Sequence, residues 1–171
     1  MSNSKEISVD LLRSLFDYDP VTGILRWRVD RPNGIRVGDI AGNRWSKDRP
    51  YLRVEIDGRA FAVHRIAWAL MTGAWPKEFI DHINGVENNN RWENLREADR
   101  SQNAANSRLY RSNKSGYRGV SYDKHHRKWV AQIHISKGKN TRIGRFDTKE
   151  EAVEAYRKVA IEIFGDFLRA I

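Results

Sequence analysis

The segment that decides both the fold and the site runs from Asp81 to Asn103 and reads DHINGVENNNRWENLREADRSQN. It opens with a carboxylate beside an imidazole, Asp81 and His82, and it holds Asn94 and Asn103 further along. Imidazole titrates near neutrality, and hard divalent cations prefer oxygen ligands. An oxygen ligand, a base and a second oxygen ligand on a following helix predict a site that cuts phosphodiester bonds.

Asparagine is so common in this segment that residue types alone do not decide its role. The run 88–90 is all asparagine, and asparagine is a frequent turn former. The predicted geometry favours the catalytic interpretation. Asp99 and Gln102 form the capping pattern of a new helix, which would carry Asn103 back toward Asp81 so that two oxygen ligands could share a cation.

The bulk composition limits the class of protein. A chain of 171 residues has room for one ordinary domain or two small ones. Its net charge of +9 predicts a polyanionic partner, either nucleic acid or an anionic membrane. The longest apolar run, residues 66–71, is far shorter than a spanning helix. The N-terminus lacks a secretory layout, and the absence of cysteine excludes disulfides and thiolate-bound zinc. We therefore expect a soluble cytoplasmic protein with no membrane and no disulfide partner.

The positive charge is concentrated in residues 108–145. This stretch holds eleven Lys and Arg residues and one acid, Asp123, for a net charge of +10. The charge therefore belongs to a local surface. Tyr117, Tyr122 and Trp129 lie among the basic residues, which is more typical of a binding sheet than of a solvated lysine-rich face.

A polar, basic stretch at residues 108–116 lacks apolar periodicity and predicts a linker. We place the domain boundary near residue 112. The predicted domains are residues 1–112, with the cutting site and an N-terminal extension, and residues 113–171, with the basic surface.

The C-terminal domain has a clear pattern of strands and one helix. Residues 128–136 alternate apolar and polar, which predicts a half-buried strand, and a third strand is expected at 141–146. Thr148 and Glu151 predict a capping box, and Gly165 predicts the end of that helix. A three-stranded sheet with a helix on one face leaves its opposite face free for DNA.

The N-terminal domain is less regular. Residues 11–20 predict a short helix that ends in a turn at Asp19–Pro20. Further elements are expected as strands at 24–29, 51–56 and 61–63, a hairpin turn at Asp57–Gly58 and a helix at 64–72. The predicted fold class is α+β, with an N-terminal unit that carries the cutting site, followed by a small three-stranded antiparallel sheet packed on one helix.

The two halves each resemble a known family. DHINGVENNNRWENLREADRSQNAAN, with VHRIAWALMTGAWP before it, resembles the HNH (His-Asn-His) endonucleases of the ββα-metal type, especially phage and intron-encoded homing enzymes. SGYRGVSY, KWVAQIHI and RIGRFDTKEEAVEAYRKVA resemble the ethylene-response-factor (APETALA-type) DNA-binding domain. The resemblance covers roughly residues 60 to 166, and the combination is similar to phage-type HNH enzymes that carry this domain.

The HNH resemblance implies that the N-terminal unit is a ββα-metal nuclease unit, and it implies a role for each matching residue. His82 matches the general base, Asp81 and Asn103 match the metal ligands, and Asn94 matches the asparagine that braces the loop and helps to orient the histidine. The implied cofactor is a divalent metal, Mg²⁺ with Mn²⁺ as the alternative, and the implied products are a 5′ phosphate and a 3′ hydroxyl. Three neighbours are assigned to possible supporting roles: His64, Arg65 and Asn106.

The APETALA-type resemblance implies that the sheet meets double-stranded DNA. The positions assigned to DNA binding are Arg118, Gly119, Arg127, Lys128, Gln132, His134 and Arg142. Several positions depart from the plant pattern, with Ser121, Asp123, His134 and Asn140 in place of arginines and Arg142 in place of a tryptophan. The plant recognition sequence therefore does not transfer.

We interpret the chain as a DNA endonuclease that acts as a monomer or weak dimer, with a phage in a bacterial host as a candidate source. Two alternatives stay open from the sequence. The first is a DNA-binding regulator that keeps the HNH scaffold without cutting. The second is an RNA-binding module, which shares the same charge pattern.

Overall fold

The computed structural model describes residues 7–46, 49–136 and 139–169. The chain forms two compact units, Met1–Glu97 and Ala98–Ile171. Residues 98–112 thus group with the C-terminal unit, and the predicted functional boundary near residue 112 stays a prediction. Both units combine short helices with small antiparallel sheets, so the predicted α+β class is confirmed.

The first unit contains two small antiparallel sheets and the strand pair that carries the predicted site. β1 pairs with β2, β4 lies between β3 and β5, and β6 pairs with β7. Its elements are α1 (Val9–Leu15), β1 (Phe16–Asp19), β2 (Ile24–Trp27), β3 (Asn43–Ser46), β4 (Arg49–Ile56), β5 (Arg59–Ala62), α2 (Val63–Thr72), β6 (Phe79–His82), a 3₁₀ turn (Trp92–Asn94) and β7 (Leu95–Ala98).

One predicted element differs. The helix expected over residues 11–20 ends at Leu15, and Phe16 begins a strand. Phe16 is extended because its ring packs 4.6 Å from that of Trp27 across the β1–β2 hairpin. This tertiary contact outweighs helix propensity. The hairpin turn at Asp57–Gly58 is confirmed, with both residues at positive φ.

Burial in the first unit fixes the end of β6. Leu12, Leu25 and Ile66 belong to its main core. A smaller cluster packs Ile80 of β6 against Ala67 of α2 and Leu95 of β7. Burial of one such aliphatic side chain stabilises the fold by about 1.5–3 kcal/mol. This packing therefore fixes the position of the backbone that leads into Asp81 and His82.

The second unit is a three-stranded sheet with two helices. The strand order is β10–β9–β8, antiparallel throughout. Both predicted capping boxes, at Asp99 and at Thr148, are confirmed. Its elements are α3 (Arg100–Asn106), β8 (Val120–Asp123), β9 (Lys128–Ser136), β10 (Lys139–Phe146), α4 (Lys149–Phe164) and a 3₁₀ turn (Gly165–Phe167).

The core of the second unit lies between the sheet and its helices. Tyr156 of α4, Ile133 of β9 and Ala105 of α3 belong to one buried cluster. Val130 was expected on the polar outer face and yet is buried. It pairs with Ser121 on one side and Arg145 on the other, and these neighbours flank it in the sheet.

Candidate active site and DNA-binding face

The last two residues of β6 are a buried acid and a buried imidazole. Asp81 is 5% exposed and His82 is 3% exposed. Charged and titratable groups are rarely buried in this way unless they are paired or have a function. The two side chains occupy the positions at which the sequence predicts a metal ligand and a base.

His82 is held by a hydrogen bond to Asn90. Its Nε2 lies 3.0 Å from Asn90 Oδ1, and Asn90 is itself buried. Burial lowers the pKa of His82, and this effect outweighs the hydrogen bond to Asn90 Oδ1 and the charge of Asp81, which both raise it. The ring is therefore neutral near pH 7 and can accept a proton.

Two further rings lie next to His82. The His64 ring, at the start of α2, is 5.1 Å from that of His82 at an interplanar angle of 81°. The Tyr51 ring of β4 is 5.4 Å from His64 and 5.8 Å from His82. Burial, followed by the nearby His82 and Arg65, lowers the pKa of His64 to about 3, so this imidazole is neutral too. We call Tyr51, His64, Asp81, His82 and Asn90 the β6 cluster.

Asn94 braces the loop after β6. Its Oδ1 accepts a hydrogen bond from the Asn84 backbone at 3.0 Å, and its Nδ2 donates to the Asn89 carbonyl at 2.7 Å. Its own carbonyl accepts from Ile83 at 2.9 Å. The bracing role expected of Asn94 fits these contacts. The hydrogen bond that orients His82, however, involves Asn90.

Asp81 forms an ion pair inside the first unit. Arg96 Nε and Nη2 each lie 2.9 Å from Asp81 Oδ2, and both side chains are largely buried. A charge-assisted pair of this kind holds the carboxylate in a fixed orientation. Asp81 could contribute to metal binding only by sharing its carboxylate with Arg96 or by releasing it.

The donor types fit a hard divalent metal. A carboxylate from Asp81 and an amide oxygen from Asn103 are ligands that Mg²⁺ accepts, because it keeps most of its waters. In residues 7–46, 49–136 and 139–169, no group of three or more His, Asp or Glu side chains could hold a metal. Asn103 and the buried Asn106 lie on α3, in the second unit. The shared ligation by Asp81 and Asn103 stays a prediction.

Arg65, a possible phosphate contact, supports the chain that leads into β6. Its Nη1 donates to the Glu78 carbonyl and its Nη2 to the Pro76 carbonyl, each at 3.1 Å. These bonds satisfy two carbonyls just before Phe79. A supporting role for Arg65 is therefore visible in the fold, and contact with phosphate stays a prediction.

The outer face of the C-terminal sheet presents polar and basic side chains to solvent. Arg142 pairs with Gln132 across the strands, and His134 Nδ1 lies 3.0 Å from Asn140 Oδ1. All four are exposed. We call the exposed outward residues of this sheet the sheet face: Ser121, Gln132, His134, Asn140, Arg142 and Arg145. Arg127 is exposed at the β8–β9 turn, and Lys128 forms an ion pair with Asp147.

Arg118 and Gly119, two assigned DNA contacts, have structural roles in the second unit. Arg118 Nη2 donates to the Ser107 carbonyl at the end of α3. A side chain at Gly119 would meet the Tyr156 ring at 2.2 Å and the Gln132 carbonyl at 2.4 Å, and its φ is +66°. Only glycine fits there. Contact between these two residues and DNA stays a prediction.

Two protein-family models match separate segments of the chain. The HNH endonuclease family model matches residues 61–105, which include β6, its loop and α3. The AP2 domain model matches residues 115–166, which include β8 to β10 and α4. The chain belongs to the HNH endonuclease family and carries an AP2 DNA-binding domain.

The chain is also similar to two viral proteins. Protein 3.8 of Escherichia phage T7 is 33% identical over 107 residues, which are 62% of this chain and 87% of the phage protein. An uncharacterized HNH endonuclease, L560, of Acanthamoeba polyphaga mimivirus is 30% identical over 130 residues. That match covers 75% of this chain and 66% of the mimivirus protein. None of the helices in the described residues is long and apolar enough to cross a membrane.

Sequence reasoning missed two members of the β6 cluster. Asn90 was interpreted as a loop former, in common with the rest of the run 88–90, although it alone of the three is fully buried. Tyr51 lies thirty-one positions before His82 and belongs to no motif. To find either residue from the sequence, one would need to know which side chains face His82, and that depends on packing.

Proposed function

We propose that this protein is a metal-dependent DNA endonuclease. Its N-terminal domain, residues 1–112, would hydrolyse phosphodiester bonds of DNA, and its AP2 domain would target the enzyme to its sites. The observation that carries the proposal is the state of His82. It is buried, neutral and fixed by a hydrogen bond, and it follows directly after a buried carboxylate. Membership in the HNH endonuclease family supports the same conclusion.

His82 accepts the proton of a water molecule, and the oxygen of that water attacks phosphorus. The bond between phosphorus and the 3′ oxygen breaks, and that oxygen leaves with the electron pair and takes a proton from solvent. A 5′ phosphate and a 3′ hydroxyl result, and the imidazolium returns its proton to solvent. General base catalysis of this kind contributes about 10²–10⁴-fold to a rate.

The other residues of the site hold its parts in place. A divalent cation, Mg²⁺ or Mn²⁺, would polarise the phosphate and stabilise the leaving oxygen, with Asp81 and Asn103 as the residues that would hold it. Asn94 keeps the loop closed, and Arg96 orients the Asp81 carboxylate. Asn94 and Arg96 thus act by holding the loop and the carboxylate in position.

Targeting belongs to the basic C-terminal domain. The net charge of +10 in residues 108–145 would bind the backbone of double-stranded DNA, and exposed side chains of the sheet face would contact base edges in a groove. A single site cuts one strand, so we expect a monomer to nick and a weak dimer to cut both strands. We infer that it acts in the cytoplasm of a host cell.

The test is nicking of a supercoiled plasmid pool by the full chain with Mg²⁺, with Mn²⁺ and with chelator. We expect relaxed circles with metal and none with chelator, and a loss of about 10²–10⁴-fold in His82→Ala. Asn88→Ala, at an exposed neighbouring asparagine, is the matched control and should cut normally. Equal nicking by His82→Ala and the unmodified chain would remove the base from the mechanism.

One observation favours a second candidate function, a DNA-binding regulator that does not cut. The Arg96 guanidinium occupies Oδ2 of Asp81, the carboxylate that would otherwise hold the metal. A site closed in this way could act as scaffold alone. This alternative predicts gel-shift retention of DNA with no metal-dependent nicking.

A further inference from the structure

The asparagine that contacts His82 has a defined chemical effect on its ring. Asn90 Oδ1 lies 3.0 Å from His82 Nε2, and a carbonyl oxygen can only accept a hydrogen bond. The proton of the neutral ring is therefore on Nε2. The other ring nitrogen, Nδ1, then keeps its lone pair and can act as the base.

Asn90 is poorly explained as a loop former. It is 2% exposed, whereas the neighbouring Asn88 is exposed. Its Nδ2 is also buried and has no hydrogen-bond partner among the described residues. An unsatisfied buried donor is destabilising. The one contact that the amide group makes is the contact with His82.

The backbone of Asn90 is held by the β1–β2 hairpin, which lies outside the segment matched by the HNH family model. Tyr18 Oη donates to the Asn90 carbonyl at 2.6 Å. The Trp92 backbone donates to the Pro20 carbonyl at 3.0 Å. Residues 90 and 92 are thus tied to a hairpin some seventy positions earlier in the chain.

The hairpin backbone also approaches this loop closely at Gly23. A Cβ on Gly23 would lie 2.4 Å from the Arg91 nitrogen and 2.5 Å from the Asn90 carbonyl carbon. No side chain fits there, and Gly23 also has a positive φ of 75°. The peptide of Asn90 therefore packs directly against the hairpin backbone. This packing fixes the position from which the Asn90 side chain extends.

We propose that the β1–β2 hairpin positions the general base of this enzyme: it clamps Asn90, and Asn90 fixes His82 with its proton on Nε2 and its lone pair on Nδ1. This inference rests on the proposed function of His82 as a base. Asn90 and Tyr18 act through His82 and are positioning residues. The hairpin would then be part of the catalytic unit, although its sequence carries no nuclease motif.

The first test measures the tautomer of His82 by ¹⁵N NMR in the full chain, at an alkaline pH at which the ring is neutral. We expect the Nε2–H tautomer in the unmodified protein, a mixture of tautomers in Asn90→Ala, and the Nε2–H tautomer again in Asn90→Asp, which keeps the acceptor oxygen. Asn88→Ala is the matched control and should match the unmodified protein. The Nδ1–H tautomer in the unmodified protein, or no change in Asn90→Ala, would overturn the proposal.

The second test measures kcat and KM for plasmid nicking in Tyr18→Phe, with Tyr110→Phe, at an exposed tyrosine, as the matched control. We expect kcat to fall about tenfold in Asn90→Ala and less in Tyr18→Phe, with KM unchanged, as is usual for residues behind a catalytic group. A Tyr18→Phe variant with normal kcat and an unaltered His82 resonance would remove the hairpin from the proposal.

The two tests separate this proposal from the proposed function. If the full chain does not nick DNA at all, the endonuclease proposal fails, yet the NMR measurement still reports whether Asn90 sets the tautomer. If the chain nicks DNA and the tautomer does not depend on Asn90, the endonuclease proposal stands and the positioning role fails.

Discussion

Asp81 and His82 of the β6 cluster are almost fully buried, whereas Gln132, His134 and Arg142 of the sheet face lie open to solvent. The first region is held by specific buried hydrogen bonds, and the second by strand pairing and by the helix on its opposite side. A base needs a fixed orientation and a dry surrounding, because both control its proton. A DNA-binding face needs exposed charge, because long-range attraction to phosphate does not require burial. Substitutions should therefore affect the two regions in different ways.

The largest effect is expected from Gly119→Ala. The new methyl group would meet the Tyr156 ring and the Gln132 carbonyl at a positive φ, which together should cost about 3 kcal/mol in free energy of unfolding. DNA retention should fall with the stability of the C-terminal unit. Gly116→Ala is the control, because its φ is +80° and nothing lies within 4 Å of the added carbon. Urea unfolding measures both, and equal losses would contradict this packing.

The next effect is expected from Asn94→Ala. The change removes the bonds to the Asn84 backbone and the Asn89 carbonyl and leaves buried groups without partners, at a cost of about 2 kcal/mol. Nicking should fall more than DNA binding, because the loop carries Asn90 but not the sheet face. Gel shift and nicking assays on the same sample compare the two. Loss of both in equal measure would contradict this separation.

The next prediction concerns how the free energy of unfolding depends on pH, and its effect over any single pH unit is smaller. The pKa of His64 is about 3 in the folded chain and near 6.5 when unfolded, so the unfolded chain binds the extra proton between these values. Stability is therefore present above about pH 6.5 and is lost as the pH falls, by up to about 1.4 kcal/mol per pH unit.

His64→Gln should flatten this curve, and His125→Gln, at an exposed ring, should not. Urea unfolding over a series of pH values measures the slopes. Parallel curves for His64→Gln and the unmodified chain would mean that the ring is not held neutral by burial.

The smallest effect is expected from Arg142→Ala on the sheet face. The loss of one phosphate or base contact should weaken DNA binding about tenfold and reduce the slope of log K against log salt by about one. The rate at saturating DNA should not change. Arg157→Ala, on the exposed side of α4, is the matched control. A lower saturated rate in Arg142→Ala would show that the two regions are not independent.

Local sequence patterns predicted the features that depend only on residues close to one another in the sequence. The two capping boxes, the Asp57–Gly58 hairpin and the alternation in β9 are all readable because each is set by spacing within a few positions. The helix over residues 11–20 was too long, because the contact of Phe16 with Trp27 is made across the hairpin. Val130, which falls on the polar side of the alternation in β9, is nevertheless buried.

The amino-acid sequence by itself determined the class of this protein, because the Asp81–His82 pair, the asparagine spacing and the basic C-terminal segment are chemical facts of the chain. Only the tertiary structure decided how His82 is held. Asn88 and Asn90 are the same residue type. Packing against the β1–β2 hairpin buries Asn90, whereas Asn88 is exposed to solvent. It likewise brought Arg96 to Asp81 and Arg118 to the end of α3. These contacts join distant segments, and hydrogen-bond partners across such distances are fixed by the fold as a whole.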